Sequence, residues 1–376
     1  MTTLRVIIEE MLAPKPTGVA RYAEELTREL IRVAPRGCYV EGIVSASTEA
    51  DYASITDRLP GLSALYKSPL ARREMTTAWQ HGFTRLPGSG MVHAPSLLAP
   101  LARHDRLNTG EQIAVTIHDA LPWSSPDSLS PRSLSWHKAM AKRAEKYADA
   151  IVVPTHAVAE QLTEFIDFGD RIRVIGGAAS PKIALPVDAG ERAERLGLPE
   201  RYLLAFGGLE PHRGIEPLIR ALATEGAPSY PLLLVGTVNA EALAEAVRSA
   251  GLPADRVRPL GQLADADLAV VLQRAAVLVF PSLDEGFGLP IVEAFQFGTP
   301  VVHSDAPALL EVAAEAGVIV ERGDADGYPA RLARAIASVT SDPAFAERLH
   351  YSGLDRSQVF SWRASAEKVW QLHADL

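Results

Sequence analysis

The sequence predicts an α/β protein made of two Rossmann-like domains that face each other, each a parallel sheet with helices on both sides. Short apolar runs bounded by turn residues alternate with helical apolar spacing along most of the chain. A glycine- and proline-rich stretch at 176–186 interrupts the alternation once, as an interdomain linker would. The 376 residues, 47% of them hydrophobic, suffice for two cores. We therefore expect domains at 1–180 and 181–360.

Composition and charge exclude several classes of protein. The net charge of −9 argues against a nucleic-acid partner, because such proteins carry a basic surplus. The single Cys38 excludes an intramolecular disulfide framework and fits a reducing compartment. The first residues are a strand interrupted by acids, unlike a signal peptide, and no apolar run is long enough to span a membrane. We expect a cytoplasmic protein, either free or associated with the inner face of the membrane.

The first elements follow from apolar spacing. Leu4–Ile8 is predicted as a strand, and the turn at 14–18 opens a helix at about Val19. Tyr39–Val44 is predicted as the second strand. Residues 50–90 are predicted to be irregular, apart from a helix over Leu70–His81.

A histidine follows a predicted buried strand. Met91–Pro95 and Ile113–Ile117 are predicted strands, and His118 and Asp119 come directly after the second. Ligands of open α/β sheets bind at the carboxyl ends of the strands, so His118 is a candidate site residue. The alternative is a structural histidine. Asp119 either orients His118 or caps the next segment.

The helix predicted over Pro131–Tyr147 is basic and amphipathic. Such a helix can lie against anionic lipid or a lipid-linked acceptor. A solvated charged face fits the same pattern and is the more common case.

The second domain begins with a strand at Tyr202–Phe206 and the turn sequence Gly-Gly-Leu-Glu-Pro-His-Arg at 207–213. Neither domain contains the Gly-x-Gly-x-x-Gly fingerprint, which lowers the case for a dehydrogenase.

The stretch from Ala276 to Ser304 carries the strongest signal. A strand over Ala276–Phe280 precedes a helix bracketed by Pro290 and Gly298. Between them, the glycine-containing turn at 285–289 can present backbone N–H groups to a phosphate or a sugar hydroxyl. Glu285 and Glu293, with seven residues between them, can direct both carboxylates into one crevice.

This stretch resembles the signature of retaining GT-B glycosyltransferases of family 4, the group 1 type, which includes bacterial polysaccharide mannosyltransferases. The resemblance spans nearly the whole chain. The phrase from Val115 to Pro122 resembles the family segment whose histidine lies beside the donor sugar. The turn with Gly208 and Arg213 resembles its phosphate clamp, although His212 replaces the usual arginine. Gly18 matches a loop glycine near the donor diphosphate or the acceptor.

The resemblance implies a retaining, metal-independent transfer of a hexose from a nucleotide-diphosphate sugar to a hydroxyl of a glycan or a lipid-linked acceptor. GDP-mannose is the expected donor, in bacterial polysaccharide synthesis. The alternatives are a rhamnosyl- or glucosyltransferase using dTDP- or UDP-sugar, and an epimerase or hydrolase on the same fold. No cofactor is expected.

The resemblance also implies roles for single residues. His118, Glu285 and Arg213 are the expected catalytic residues, with Arg213 at the diphosphate and Glu285 at the donor sugar's hydroxyls. Glu293 is expected to accept hydrogen bonds from the ribose. The expected nucleotide-sugar contacts are Gly18, Gly208, Arg213, Glu285, Gly286, Phe287, Gly288, Leu289 and Glu293.

The end of the chain resembles the helix that crosses back to the first domain in GT-B proteins. It begins with Ser361 as a cap and keeps helical apolar spacing through residue 376. Trp362 and Trp370 are expected to be core anchors.

Overall fold

The computed structural model of the chain describes residues 2–13, 18–84, 86 and 90–376, with Leu107 and Thr109 described by their backbone alone. The chain forms two compact units. Unit 1 comprises residues 1–177 together with 361–376, and unit 2 comprises residues 178–360.

In unit 1 the described residues form a parallel sheet of seven strands, in the order β3-β2-β1-β4-β5-β6-β7. The strands are β1 Thr2–Ile7, β2 Cys38–Ala46, β3 Ala64–Ala71, β4 Met91–Ala94, β5 Gln112–Thr116, β6 Ala150–Val153 and β7 Ile172–Val174. The helices are α1 Gly18–Arg32, α2 Glu49–Arg58, α3 Arg72–His81, α4 Arg106–Thr109, α5 Leu121–Ser124, α6 Pro131–Tyr147 and α7 His156–Thr163, with α16 Trp362–Asp375 at the end of the chain. Strands such as β6 are buried along their whole length, as expected for a parallel sheet covered on both faces.

Between residues 50 and 71, most of the chain predicted to be irregular forms regular elements, so that prediction was wrong there, while the predicted helix to His81 is present as α3. This region holds α2, which the Thr48 capping box starts, and the strand β3, which pairs in parallel with β2. The strand escaped the sequence analysis because it lies at the edge of the sheet, with β2 as its neighbour and one buried side chain, that of Ser68. It carries Lys67 and Pro69, which are typical of an edge strand rather than a buried one.

Helix α16 belongs to unit 1 and packs on α1. The Ser361 side chain caps its start, and Ser365 Oγ donates a hydrogen bond to the Gly176 carbonyl at 2.7 Å. The indole Nε1 of Trp370 donates to the Leu30 carbonyl at 3.1 Å, and both predicted anchors, Trp362 and Trp370, are buried. These contacts confirm the returning helix and the core role of its tryptophans.

Unit 2 is built on a six-stranded parallel sheet in the order β10-β9-β8-β11-β12-β13. Its strands are β8 Leu203–Phe206, β9 Leu232–Val235, β10 Val257–Gly261, β11 Val277–Phe280, β12 Val301–Ser304 and β13 Val318–Val320. Its helices are α8 Ala189–Arg195, α9 Ile215–Ala221, α10 Ala240–Ser249, α11 Asp265–Arg274, α12 Leu289–Gln296, α13 Pro307–Ala313, α14 Tyr328–Ser341 and α15 Pro343–Ser357. The two parallel sheets, with alternating strands and helices, confirm the predicted α/β fold class.

The strand order reverses direction once in each sheet. The reversal lies between β1 and β4 in unit 1, and between β8 and β11 in unit 2. Loops that leave the carboxyl ends of such strands diverge and open a crevice where ligands bind. This topology predicts that a ligand of unit 1 would bind at the loops after β1 and β4, and that a ligand of unit 2 would bind at the turns after β8 and β11.

Among the described residues, none of the helices has both the length and the apolar character needed to cross a membrane.

Candidate active site

Arg213 and Glu285, predicted as catalytic residues from separate motifs, form an ion pair in unit 2. Arg213 Nη1 donates a hydrogen bond to Glu285 Oε2 at 2.8 Å. Arg213 lies in the 3₁₀ turn Pro211–Arg213 after β8, and Glu285 lies in the loop after β11. The side chains are 35% and 20% exposed, so a ligand can reach the pair.

Two backbone contacts hold the turn after β8 against the loop after β11. The Leu283 N–H donates to the His212 carbonyl at 2.6 Å. Gly214 has φ +67, and a Cβ there would lie 2.1 Å from the Pro281 oxygen. Only glycine permits both the left-handed backbone and this approach, so Gly214 brings Arg213 to Glu285.

Opposing effects act on the Glu285 carboxyl. Burial raises its pKa, while the Arg213 guanidinium and a hydrogen bond from the Gly286 backbone oppose the rise. The arginine therefore helps to keep Glu285 ionised and able to accept hydrogen bonds from hydroxyl groups.

Gly208 lies in close contact with protein atoms. A Cβ at this position would lie 2.7 Å from Glu210 Oε2 and 3.0 Å from the Thr237 oxygen. The Glu210 carboxylate could move aside while the Thr237 contact would be tight, and the predicted ligand contact of Gly208 stays a prediction.

The turn before α12 is left-handed at Gly288. Gly288 has φ +85 and directly precedes the helix, and a Cβ on it would lie 2.8 Å from Leu309 Cδ2. Gly286 is buried. Phe287 packs edge-to-face on Phe360, with ring centroids 5.7 Å apart. Leu289 is the first residue of α12, where the backbone N–H groups of a helix lack intrahelical acceptors.

Glu293 lies one turn into α12 and is 4% exposed. An ionisable side chain is kept at such a position only with polar partners, because burying an unpaired charge is costly. Its neighbours on the helix, Val292 and Ala294, belong to the apolar core.

His212, where the family has an arginine, is 8% exposed. Burial and the adjacent Arg213 lower the pKa of its imidazole, which is therefore neutral at pH 7. Within the described part of the chain its Nδ1 has no hydrogen-bond partner. The residue cannot supply the positive charge of the arginine that it replaces.

In unit 1, His118 follows β5, which ends at Thr116. Its Nε2 donates to the Pro95 carbonyl at 2.7 Å, and its ring meets the edge of Tyr22 with centroids 4.8 Å apart. A carbonyl only accepts, so Nε2 carries the proton and Nδ1 is left as an acceptor. Burial lowers the pKa of His118, which favours this neutral form.

Two other predicted residues of unit 1 have definite places. Asp119 Oδ1 accepts the Leu121 N–H at 3.1 Å, so this carboxylate caps the segment that follows. Gly18 is the exposed first residue of α1. The predicted turn at 14–17 lies outside the described residues, and a ligand role for Gly18 stays a prediction.

His118 and Asp119 line a cavity of about 430 Å³ at the carboxyl edge of the unit 1 sheet. The sequence analysis missed its other polar residues, among them Glu10, Arg72 and Trp136. The position of Glu10, just after the first strand, was the available signal. Arg72 and Trp136 reach the cavity only through the tertiary fold.

The described residues contain no cluster of three or more His, Cys, Asp or Glu side chains suited to a metal ion.

Two family profiles match the chain, one for each unit. Residues 190–356 match the profile described as Glycosyl transferases group 1, and residues 16–179 match that of Glycosyltransferase Family 4.

Curated relatives include two mannosyltransferases of Escherichia coli. The chain is 32% identical over 239 residues to the serotype-specific mannosyltransferase WbdA, an alignment that covers 60% of the chain. That stretch covers only 29% of WbdA, so the chain spans less than a third of this relative. It is 28% identical over 373 residues to O-antigen chain mannosyltransferase B, covering 92% of the chain and 93% of that protein.

Among solved structures, HepE of Anabaena, in complex with UDP and glucose, superposes with a TM-score of 0.73. The superposition covers all of both chains at 18% identity, a level at which the likeness concerns the fold. With a family profile matched in each unit and this fold, the chain belongs to the GT-B glycosyltransferases of the group 1, family 4 type.

Proposed function

We propose that the protein transfers a hexose, with mannose as the first candidate, from a nucleotide-diphosphate sugar to a hydroxyl of a glycan or glycolipid, with retention of the anomeric configuration and without a metal ion. The observation that carries the proposal is the Arg213–Glu285 pair beside the start of α12, at the strand-order reversal of unit 2. The diphosphate of a nucleotide sugar is bound well by a cation and by helix N–H groups. The hydroxyls of the sugar need a carboxylate that accepts their hydrogen bonds.

In this mechanism the leaving diphosphate gains negative charge as the anomeric bond breaks. Arg213 and the N–H groups of the turn formed by Gly286, Phe287, Gly288 and Leu289 stabilise that charge. A guanidinium supplies permanent charge and a fork of donors, which serves a diphosphate without a divalent cation. Glu285 accepts hydrogen bonds from the donor sugar's hydroxyls, Glu293 from the ribose, and His118 contacts the sugar near its 6-hydroxyl. The acceptor hydroxyl attacks the face that the diphosphate leaves, the bond from the anomeric carbon to the phosphate oxygen breaks, and the proton of the hydroxyl passes to the departing phosphate.

The choice of mannose rests on the relatives. WbdA and O-antigen chain mannosyltransferase B are both mannosyltransferases, and the proposed pathway is the synthesis of a bacterial polysaccharide in the cytoplasm. The structure of HepE with UDP and glucose favours a second candidate, glucosyl transfer from a UDP-sugar.

A transfer assay tests the proposal. The protein is incubated with GDP-mannose, UDP-glucose or dTDP-rhamnose, with and without a glycan acceptor, in EDTA. We expect one donor to be consumed only with acceptor, and NMR of the product to show the donor's anomeric configuration. Consumption of donor without acceptor would instead identify a hydrolase or an epimerase, and loss of transfer in EDTA would contradict the metal-independent mechanism.

We also propose that α6 makes peripheral contact with an anionic membrane. Lys138, Lys142 and Lys146 are exposed and spaced one turn apart, so they form a single basic stripe. Flotation with vesicles tests this contact. We expect binding to vesicles that contain phosphatidylglycerol but not to phosphatidylcholine alone, and loss of binding when the three lysines become glutamine. Equal flotation of the wild type and this variant would contradict the proposal.

A further inference from the structure

The unit 1 cavity has the position and the size of a ligand site. Three residues on its wall follow the carboxyl ends of three neighbouring strands: Glu10 after β1, Ser96 after β4 and His118 after β5. The reversal between β1 and β4 opens the sheet at this point. Its volume of about 430 Å³ falls within the range of small-molecule pockets.

The charges on the wall are unfavourable to an anion. Arg72 Nη2 donates to Glu10 Oε2 at 2.8 Å, and its Nη1 donates to the Glu9 carbonyl at 2.9 Å. Glu10 thus balances the charge of this guanidinium, as Glu285 balances that of Arg213 in unit 2. Asp119 adds a second carboxylate to the lining.

The two histidines of the lining add no positive charge. Burial lowers the pKa of His118 and of His137, so both rings are neutral at pH 7. Their protons are directed to backbone carbonyls: His118 Nε2 to Pro95, and His137 Nδ1 to Ser133 at 2.8 Å. Among the described lining residues, one guanidinium, that of Arg72, therefore faces two carboxylates, those of Glu10 and Asp119, and this negative excess disfavours an anion.

Two indole rings supply apolar surface to the same cavity. Trp123 is held by stacking on Phe165, with centroids 6.0 Å apart and planes 18° apart. Trp136 packs edge-to-face on His137 with centroids 4.8 Å apart. Within the described part of the chain the Nε1–H of Trp136 has no hydrogen-bond partner. Such a donor needs an acceptor when it is buried.

We infer that this cavity takes the end of an uncharged glycan acceptor and rejects phosphorylated or other anionic sugars. The C–H faces of a sugar ring match the indole surfaces, and its hydroxyls donate to Glu10 and accept from Trp136. The inference rests on the proposed function, because it assigns the acceptor of that reaction. It restricts the acceptor to glycans whose bound end carries no charged group.

Saturation-transfer NMR on the full chain without nucleotide tests this assignment. The probes are mannotriose, maltotriose and mannose 6-phosphate. We expect saturation transfer to at least one neutral trisaccharide, and at least tenfold weaker binding of the phosphate. Equal or tighter binding of mannose 6-phosphate, or no binding of either neutral probe at 10 mM, would overturn the inference.

Substitutions of Trp136 and Glu10 test whether these residues bind the saccharide. Trp136→Ala should weaken neutral binding at least tenfold, and Trp136→Phe, which keeps a ring but loses the donor, by an intermediate factor. Glu10→Gln should reduce the preference for neutral over phosphorylated sugar, because the charge of Arg72 is then uncompensated on that side. Trp79→Phe, a change in the core of the same unit, is the matched control and should alter neither affinity. Wild-type affinity in both Trp136 variants would contradict the assignment.

Adding GDP and UDP to the same samples separates the two proposals. Saccharide binding without nucleotide binding would contradict the proposed transfer and leave the cavity assignment standing. Nucleotide binding without saccharide binding would contradict the cavity assignment and leave the proposed transfer standing.

Discussion

At the scale of single residues, Arg213 and Glu285 orient each other through a direct hydrogen bond. A preformed pair means that little reorganisation is needed when charge develops in the reaction, which is the basis of electrostatic catalysis. Both groups are partly exposed, so solvent screening limits what the pair adds to stability. The Arg213–Glu285 pair therefore contributes more to the proposed function than to the stability of the fold.

We expect Arg213→Ala to lower kcat about 10²–10³-fold, the range for removing one transition-state donor. Arg213→Lys should lose less, because charge remains while the fork of donors is lost. Steady-state kinetics with saturating donor measures both, and thermal unfolding checks that the fold is retained. A wild-type kcat in Arg213→Ala would remove this residue from the mechanism.

Gly214 offers a second test at this scale. Gly214→Ala would place a Cβ 2.1 Å from the Pro281 oxygen at φ +67, so the turn carrying Arg213 must move. Gly251→Ala is the matched control: its φ is +72, and nothing lies within 4 Å of the added atom. We expect the control to lose about 1 kcal/mol of stability from backbone strain, and Gly214→Ala to lose more and to impair turnover. Identical unfolding and activity in the two variants would contradict this account of Gly214.

The sequence predicted the residues that belong to compact motifs. Arg213, Glu285 and His118 were each marked by a strand end and a recognisable string, and the structure brings the first two together. Contacts such as Glu10 with Arg72 join residues 62 positions apart and leave no local pattern. Only tertiary structure reveals pairs of this kind.

At the scale of elements, α16 meets β4 through two buried histidines. The rings of His93 and His373 lie 5.6 Å apart, and both are almost fully buried. His373 Nδ1 is 3.2 Å from Gln112 Oε1, and the nearby Asp149 carboxylate favours protonation of His373. Burial lowers the pKa of His93 well below its usual value and that of His373 to about 4.

This pair should make the protein sensitive to acid. Below about pH 6.5 the unfolded histidines bind protons that the folded ones do not, so the free energy of unfolding falls as the pH drops towards 4. Each histidine contributes a slope of up to about 1.4 kcal/mol per pH unit. We expect His93→Leu to flatten this dependence between pH 6.5 and 5 in urea titrations. The control His156→Gln, at an exposed position, should not, and an unchanged slope in His93→Leu would contradict the linkage.

Elements were predicted best where burial imposes a clear pattern. Helix α6 begins at Pro131 and ends at Tyr147, as the sequence indicated, because Ser130 and Pro131 mark its start and apolar spacing continues to its end. Strand β11 was clear for the same reason, being apolar and buried throughout. Edge strand β3 has one buried side chain, the polar Ser68, so its apolar pattern is weak and it was missed.

At the scale of the whole molecule, the two units repeat one plan. Each sheet reverses its strand order once, and each reversal lies beside polar residues after the strand ends. A protein with only 18% identity shares this fold, since the fold depends on apolar periodicity and turn residues more than on residue identity. The motifs in each unit are therefore stronger evidence for the family than sequence identity over the whole chain.

The central claim is that unit 2 holds the nucleotide of the donor, and calorimetric titration with GDP, UDP, ADP and dTDP tests it most directly. We predict that one nucleotide binds the wild-type chain in EDTA, and that Glu293→Gln weakens this binding about tenfold, since a hydrogen bond to a charged group is worth about 1.5–3 kcal/mol. Thermal unfolding of the variant controls for a loss of fold. No heat with any of the four nucleotides at millimolar concentration, or equal affinity in Glu293→Gln, would contradict the account.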